Sequence, residues 1–383
     1  MMQSQDQEPQ IDWERQNVAK EYARLRRIVL LADTTLGALF VVTLLITGAS
    51  VDLQALLTGA LGAKLLVVGS FFGVFYLAYA LLLLPVAYFG GYRLARRFGL
   101  STQSSRSWLL DWMKSLGISL VLGLILVEIL YFSIAYSPHW WIIVAGIVVL
   151  FYVLLANLGP VLLVPLFYRL TPIEDVDLAK RLVDLSATAG AKVRGVYRIN
   201  LSSKTTAANA ALMGLGNTRR IVLGDTLLEK YSNDEIETVY AHELGHHVHA
   251  DIPMLIAIQS VTVVVGFYLA SIVLDRSVHF FGIGSVADVA SLPLFALTFG
   301  VLAIFWMPII NAFSRWLEHR ADVYALSFTR KARAFRNAMV KLCNQNLAEL
   351  YPSRWIEILL YDHPAIGSRI RLAEQYIERE GYD

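Results

Sequence analysis

The chain has 383 residues, of which 56% are hydrophobic and 17% are charged, and its formal net charge is +2. This composition excludes an ordinary soluble enzyme and predicts a membrane protein. The small net charge, with basic residues beside apolar runs and not in one stripe, argues against a nucleic-acid partner. The single cysteine, Cys343, excludes an intrachain disulfide and a four-ligand thiolate zinc site, and we expect it to be a small buried residue.

The first part of the chain, residues 1–27, is polar and of mixed charge, unlike the start of a secretory signal peptide. The apolar run that follows, Ile28–Gly48, has about 20 residues, which matches a bilayer span and exceeds a typical cleavable signal. We therefore predict a cytoplasmic N-terminal segment over residues 1–27, followed by a retained membrane anchor.

Apolar runs of spanning length recur along the chain. The sequence predicts six spans, near residues 28–48, 65–90, 115–136, 139–168, 252–274 and 288–311. Four of them fill residues 28–168, and the other two fill residues 252–311. The second run is long enough to be tilted, and the sixth contains Pro293 and Pro308, which favour a kink.

The basic residues predict how these spans are oriented. They cluster before the first span and after the second, whereas the loop Ala49–Gly62 and the turn at Ser137 and Pro138 contain no lysine or arginine. Because cytoplasmic loops are enriched in basic residues, we expect both termini and the segment between the fourth and fifth spans on the cytoplasmic side. An even number of spans agrees with that placement.

The predicted extramembrane parts are a soluble insert and a C-terminal helical part. In the insert, residues 169–251, the spacing predicts a helix over 173–189 ended by Gly190, and strands over 193–201, 207–215 and 219–223, with a turn at Asn217 and Thr218. In the C-terminal cytoplasmic part, residues 312–383, we predict helices over 311–351, 355–361 and 364–380.

The sequence His242-Glu243-Leu244-Gly245-His246 matches the H-E-x-x-H pattern. Two histidines four residues apart share one face of a helix, so both imidazoles can bind one metal ion. The adjacent Glu243 can take the proton from a zinc-bound water as general base. The pattern therefore predicts a zinc hydrolase.

The pattern also occurs by chance in helices that bind nothing, so its context matters. Ser232 and Glu235 have the spacing of a capping box, and apolar residues then recur at helical spacing into His242. This places the motif about two turns inside a helix, as two ligands on one face require.

Catalytic zinc needs a third protein ligand. The metzincin continuation fails, because its glycine and histidine positions are occupied by His249 and Ile252. Glu318 and Asp322 offer another solution, since they share one helix face: Glu318 could bind the metal, and Asp322 could accept a hydrogen bond from a ligand histidine. His249 also shares the ligand face and could contact a ligand, whereas His247 points elsewhere.

The motifs HELGHHVHAD, SRWLEHRADVYA and, later, Asp362-His363-Pro364 with Arg369 resemble the type 1 CAAX prenyl protease family of integral-membrane gluzincins. The bacterial heat-shock membrane zinc proteases are similar to that family. The resemblance covers the chain from about residue 160 onward. It implies one Zn²⁺ per chain and one N-terminal span more than the six predicted.

The resemblance also implies roles for residues outside the zinc motif. His363 and Arg369 would stabilise the oxyanion and bind substrate carbonyls, although a helix cap and a surface charge are the alternatives. Asn209, with Ala208 and Ala210, would hold an extended substrate on an edge strand. The alternative is that Asn209 is a turn or bulge residue bonded to the backbone. Glu128 would line a water-filled chamber or, alternatively, make an interhelical hydrogen bond.

The predicted fold class is mainly α, a transmembrane helical bundle with a cytoplasmic zincin-like α+β domain. The predicted function is membrane zinc endopeptidase, acting on membrane-associated or CAAX-type C-terminal peptides, prenylated or not, beside the lipid bilayer. One rival is a heat-shock-type quality-control protease. The other is a transporter or receptor with a structural zinc site, which the intact Glu243 disfavours. The sequence gives no oligomeric state.

Overall fold

The computed structural model describes residues 8–214 and 219–381. Within these ranges, six helices are long and apolar enough to cross a membrane, which confirms the predicted number. They are Trp13–Ile46, Lys64–Arg97, Ser105–Tyr136, Trp140–Leu162, Asp251–Phe281 and Val289–Thr329. The mainly α fold, with a small sheet between the fourth and fifth of these helices, is confirmed.

The first helix, α1 (Trp13–Ile46), is longer than the predicted span. It begins at Asp12, whose side chain accepts a hydrogen bond from the Arg15 backbone N–H. The polar segment before residue 28 is therefore helical from residue 13 and continuous with the span. Gln16, in this extension, is buried and accepts a hydrogen bond from the Leu350 N–H, so the N-terminal segment packs on the C-terminal part.

The predicted loop over residues 49–62 is instead a helix, α2 (Ala49–Leu61). Gly48 and Gly62 adopt positive φ at its two ends, which a glycine does without strain. At 13 residues, α2 is about 20 Å long, too short to cross about 30 Å of hydrocarbon. The absence of basic residues in this segment was used to predict its side of the membrane. It carries no information on whether the backbone is helical.

The second span consists of α3 (Lys64–Tyr88), a π-helical segment (Phe89–Leu94) and the short α4 (Ala95–Arg97). Pro85 lies inside α3, so one backbone hydrogen bond is missing just before the π-helical segment. The third and fourth spans are α5 (Ser105–Tyr136) and α6 (Trp140–Leu162), joined by the predicted tight turn.

The soluble insert contains four strands, one more than predicted. After α7 (Val164–Phe167) the strands are β1 (Leu170–Pro172), β2 (Val196–Ile199), β3 (Ala210–Met213) and β4 (Arg220–Gly224), with α8 (Val176–Thr188) between the first two. The sheet order is β1-β2-β4-β3, with β2 parallel to β4 and the other pairs antiparallel. Strand β3 is therefore an edge strand. The predicted turn at Asn217 and Thr218 lies outside the described residues.

The remaining helices carry most of the candidate site. They are α9 (Asp225–Leu228), α10 (Asn233–Val248), α11 (Asp251–Ser277), α12 (Leu292–Thr329), α13 (Ala332–Gln345), α14 (Arg354–Leu360) and α15 (Ile366–Glu380).

The predicted helix over residues 311–351 is wrong, because α12 continues unbroken from the sixth span through Thr329 and ends at Arg330, which adopts a left-handed conformation. The candidate ligand Glu318 therefore lies on the same continuous helix as the sixth span, past its apolar part. The final helix begins at Ile366 and not at Pro364, so His363 lies outside it.

Two apolar clusters hold these elements in place. One joins the sheet to α8, α10, α13 and α15, with Tyr240 and Phe335 fully buried in it. The other lies among the spans, around Phe71 and Tyr131. The candidate site lies where α10 of the first cluster meets the extended α12.

Candidate metal centre

The helix α10 presents both motif histidines to the same point. Its capping box is formed: the Ser232 side chain accepts from the Glu235 N–H, and the Glu235 side chain accepts from the Ser232 N–H. This fixes the first turn, two turns before His242. The imidazoles of His242 and His246 lie 4.8 Å apart between ring centroids and nearly perpendicular, at 85°.

The third predicted ligand comes from α12. Glu318 places one carboxylate oxygen 3.3 Å from His242 Nε2 and the other 3.3 Å from His246 Nε2. These three residues are the group that could hold a metal ion among the described histidines, cysteines and carboxylates. The predicted pairing of His242, His246 and Glu318 across two helices is therefore present in the structure.

The donor set fits Zn²⁺. Ligand atoms bound tetrahedrally at about 2.0–2.1 Å lie about 3.3–3.4 Å from one another, which matches the two distances from Glu318 to the imidazole nitrogens. Glu318 Oε2 is buried and has no hydrogen-bond partner in the described chain. A buried carboxylate oxygen without a donor is costly, and a bound cation would remove that cost.

The other nitrogen of each histidine is held by a carboxylate. His242 Nδ1 lies 2.9 Å from Asp322 Oδ1, and His246 Nδ1 lies 2.8 Å from Asp251 Oδ2. When each Nδ1–H donates to its carboxylate, the neutral imidazole keeps its Nε2 lone pair for a metal ion. Asp322 lies where it was predicted, whereas no role was predicted for Asp251.

Asp251 is nearly fully buried at the start of α11, after Ala250 in a left-handed conformation. It also forms an ion pair with Arg320, which stacks over the Trp316 ring at 4.2 Å. The sequence did contain a signal for this role. Asp251 lies five residues after the second histidine, at the start of an apolar span, where a carboxylate needs a polar partner.

Protonation of the metal-free site follows from these contacts. Burial lowers the pKa of His242, but its contacts with the Asp322 and Glu318 carboxylates outweigh burial and raise the pKa to about 9. Burial likewise lowers the pKa of His246, and the bond with Glu318 raises it above its ordinary value on balance. A metal ion would therefore have to displace the proton that these contacts hold on His242.

Arg369, at the start of α15, lies behind His242. Its Nε donates to Asp322 Oδ2 at 2.9 Å and one terminal nitrogen donates to Oδ1 at 2.6 Å, a bidentate pair. The same nitrogen lies 3.3 Å from His242 Nδ1. The guanidinium therefore holds Asp322, the carboxylate that contacts the candidate ligand His242. Its direct contact with substrate stays a prediction.

His363 lies on the open side of the site. Its Nε2 is 3.3 Å from Glu318 Oε1, its Nδ1 is 2.9 Å from Asp362 Oδ1, and 55% of its side chain is exposed. The hydrogen bond with Asp362 raises the pKa of His363, which favours the protonated form as a donor. Its role toward an oxyanion stays a prediction that this placement permits.

The segment that carries His363 is held on α12. Arg315 donates to the Glu357 carbonyl, inside α14, at 2.9 Å and to the Tyr361 carbonyl, just after α14, at 2.5 Å. Asn311 donates to the Leu359 carbonyl at 2.8 Å. Arg315 lies three residues before Glu318, so one helix fixes both Glu318 and His363. The sequence indicated no role for Arg315.

Comparison with known proteins assigns this site to a family. Residues 172–377, more than half of the chain, match the model of peptidase family M48. The chain belongs to peptidase family M48. Residues 4–169 match the model described as the CAAX prenyl protease N-terminal domain with five membrane helices. In this half the described residues contain four spanning-length helices, and the shorter apolar α2 brings the number of apolar helices to five.

Known proteins are similar to this M48 chain over most of its length. It is 30% identical over 363 residues to the uncharacterized metalloprotease YhfN of Bacillus subtilis (strain 168), covering 94% of this chain and 85% of that protein. It is 28% identical over 321 residues to CAAX prenyl protease 1 of Saccharomyces cerevisiae, covering 78% and 70%. The crystal structure of S. mikatae Ste24p has the same fold, with a TM-score of 0.82 at 22% identity, covering 94% and 89%.

These matches confirm the resemblance to the CAAX prenyl protease family and show a zinc metalloprotease that is an integral multi-pass membrane protein. Membership in a peptidase family argues against the transporter or receptor alternative. In the M48 peptidase the predicted base, Glu243, lies beside the ligand histidines on α10. Burial raises the pKa of Glu243, opposed by the positive His242, which brings it closer to the range of a general base at neutral pH.

The substrate-strand residues lie at the start of the edge strand β3, which packs beside α10. Ala208 and Ala210 are buried, whereas Asn209 is exposed and its side chain accepts from the Ala210 N–H. The Asn209 carbonyl accepts from the Gly224 N–H at 2.9 Å, which ties it to β4. Their contact with substrate stays a prediction.

The two additional histidines of the M48 peptidase lie apart from the ligand cluster. His249 ends α10 with its ring edge-on to Tyr324, and its Nδ1 is buried without a hydrogen-bond partner in the described chain. It is not placed against a ligand histidine. Burial lowers the pKa of His247.

Proposed function

We propose that this M48 peptidase is a membrane-embedded endopeptidase in which His242, His246 and Glu318 hold one Zn²⁺ per chain. The observation that carries the proposal is the convergence of two Nε2 atoms on the Glu318 carboxylate, one oxygen of which is buried without a hydrogen bond. When bound, zinc would supply a Lewis acid that lowers the pKa of a water and polarises the peptide carbonyl.

The protein's own groups move the protons. Glu243, one residue from the first ligand, takes a proton from the attacking water and gives it to the departing amine. Asp322 and Asp251 keep both histidines in the tautomer whose Nε2 is free to bind. His363, half exposed and next to Glu318, donates to the oxyanion as the carbonyl becomes tetrahedral.

Arg369 acts through Asp322 in this proposal. Its bidentate pair fixes the carboxylate that orients His242, and its positive charge stabilises that buried carboxylate. The pair uses Nε and one terminal nitrogen of the guanidinium. We therefore assign it to positioning, and we assign the direct contact with the oxyanion to His363.

The substrate is an extended peptide that pairs with the outer edge of β3. This edge has no strand partner among the described residues, and the strand packs beside the ligand helix α10. Asn209, Ala208 and Ala210 would lie along the bound peptide, and the exposed Asn209 side chain would help to hold it. From the relatives named CAAX prenyl proteases we propose CAAX-type C-terminal peptides as substrates, with the site and both termini on the cytoplasmic side.

The test separates catalysis from metal binding. Glu243→Gln should abolish cleavage of a reporter peptide while about one zinc per chain remains by elemental analysis, because the base is lost and the ligands are kept. Persistent cleavage by this variant would contradict the mechanism. Pairs of peptides that differ only in an isoprenoid group, with cuts located by mass spectrometry, decide whether prenylation is required.

A further inference from the structure

A cavity of about 600 Å³ lies outside the metal centre, between the first and third spans and the soluble insert. Its volume is within the range of about 300–1,000 Å³ in which small-ligand pockets fall. Its walls come from α1 at Tyr22 and Arg26, from α5 at Trp108 and Trp112, and from the loop after β2 that ends at Ala207.

The cavity is continuous with the edge strand. Ala207, which lines it, is followed within three residues by the start of β3. Asn346, another lining residue, accepts from the Ala208 N–H at 3.0 Å and donates to the Ala208 carbonyl at 3.3 Å, which fixes the chain leading into the strand. A peptide paired along β3 and extended past the N-terminal end of that strand therefore arrives at the cavity.

The charge in the cavity favours an anion. Its lining contains two cations, Arg26 and Lys204, and one carboxylate, Asp111. Asp111 is already neutralised, since it accepts from Lys204 at 2.6 Å and from Gln103 at 2.6 Å. Arg26 lies over the Tyr22 ring, and among the described residues no carboxylate lies within ion-pair distance of it.

We infer that this cavity binds the C-terminal end of the substrate, with the terminal carboxylate at Arg26. A carboxylate is attracted to this guanidinium, whereas a peptide N-terminal ammonium is repelled by it. A peptide whose C-terminus lies at the N-terminal end of β3 runs antiparallel to that strand, which is also the more stable pairing. The inference rests on the proposed function, because it needs a peptide on β3.

The aromatic walls suit the rest of the terminal residues. Four aromatic residues, Trp108, Trp112, Phe167 and Tyr168, line the cavity. Lys204 lies over the last two of these rings, at 5.4 Å and 4.6 Å. Apolar side chains next to the C-terminus would lose water against these rings while the carboxylate stays at Arg26.

The test measures binding without cleavage. Full-length Glu243→Gln protein in nanodiscs is titrated with two fluorescent peptides of one sequence, one ending in a carboxylate and one in a carboxamide. The carboxylate peptide should bind about tenfold more tightly, since one charge-assisted contact is at stake. Adding Arg26→Gln should weaken only the carboxylate peptide, to the level of the amide, and Arg26→Lys should restore part of the preference.

Arg24→Gln is the matched control, because Arg24 is an exposed arginine on the same helix and does not line the cavity. This control should keep the full preference. Four outcomes would each overturn the inference. Two concern the Glu243→Gln protein itself: equal affinities for the two peptides, or no binding of either. The other two concern the arginine variants: a preference that survives Arg26→Gln, or one that Arg24→Gln removes equally. The inference would also be overturned if N-terminal acetylation of the peptide changed its affinity and C-terminal amidation did not. That result would place the N-terminus of the peptide, and not its C-terminus, in the cavity.

Cleavage by the unaltered protein is scored separately. If neither peptide is cut, the proposed function fails, while the binding difference in the Glu243→Gln protein still decides whether the cavity takes a carboxylate. If both are bound and cut equally well, the proposed function stands and the cavity assignment fails.

Discussion

Gly245 on α10 lies against Ala321 on α12, so closely that a Cβ atom at Gly245 would be 3.0 Å from the Ala321 Cα and 3.2 Å from the Tyr324 ring. A backbone atom cannot yield as a side chain can. The glycine within the H-E-x-x-H motif therefore sets the distance between the two helices that carry the candidate ligands.

We expect Gly245→Ala to separate α10 from α12 and displace Glu318 from the two imidazoles. Overpacking should cost about 1–3 kcal/mol of stability, and a misplacement of about 1 Å can cost about a hundredfold in activity. The measurements are zinc content and kcat/KM on a reporter peptide. Gly300→Ala is the control, since a Cβ atom there meets open space on the same α12; normal zinc content and activity in Gly245→Ala would contradict the packing argument.

Asp251 should matter for zinc affinity although it is not a ligand. Asp251→Asn weakens the acceptor for His246 Nδ1–H and leaves Arg320 without its buried partner. Loss of such a supporting carboxylate typically lowers metal affinity about 10–100-fold. Competition with a zinc chelator measures the affinity, and Asp275→Asn, an exposed position toward the other end of α11, should leave it unchanged.

Zinc binding should release protons and weaken as pH falls. The metal-free site holds His242 protonated at neutral pH, because its pKa is raised to about 9. Below that pH each displaced proton should make the apparent affinity fall about tenfold per pH unit. Calorimetry in buffers of different ionisation enthalpy counts the protons, and a pH-independent affinity between about pH 6 and 8 would contradict the assignment.

The same raised pKa predicts the stability of the metal-free protein. A group with a raised native pKa stabilises the fold fully below its unfolded pKa of about 6.5, and that contribution is lost as pH rises through the native value of about 9. Thermal unfolding of metal-free protein should therefore shift to lower temperature between these pH values. Asp322→Asn should make this loss smaller, because Asp322 contributes to the raised pKa of His242.

Arg315 should affect turnover without affecting the metal. Arg315→Gln frees the end of α14 and loosens His363, which is not a zinc ligand in this assignment, so kcat should fall by about tenfold to a hundredfold with unchanged zinc content. Combining it with His363→Ala should add little further loss, as expected for residues that act together. Arg354→Gln, an exposed arginine on α14, is the control.

Much of this protein was determined by local sequence. The apolar runs predicted six spans, the capping box fixed the start of α10, and the four-residue spacings placed His242 with His246 and Glu318 with Asp322 on single helix faces. These features depend on helix periodicity and length alone, which act over a few neighbouring residues and so can be read along the chain.

Other features came only from tertiary packing. The short helix α2, the strand β1, the parallel pairing of β2 with β4, and the unbroken run of α12 from membrane to Glu318 were not predicted. Asp251 and Arg315 lie within the quoted motifs, but their contacts arise only because α11 brings Asp251 to His246 and α12 brings Arg315 to the end of α14. Which residues meet depends on how closely helices approach, and that distance is set by contacts such as Gly245 on Ala321, between residues far apart in sequence.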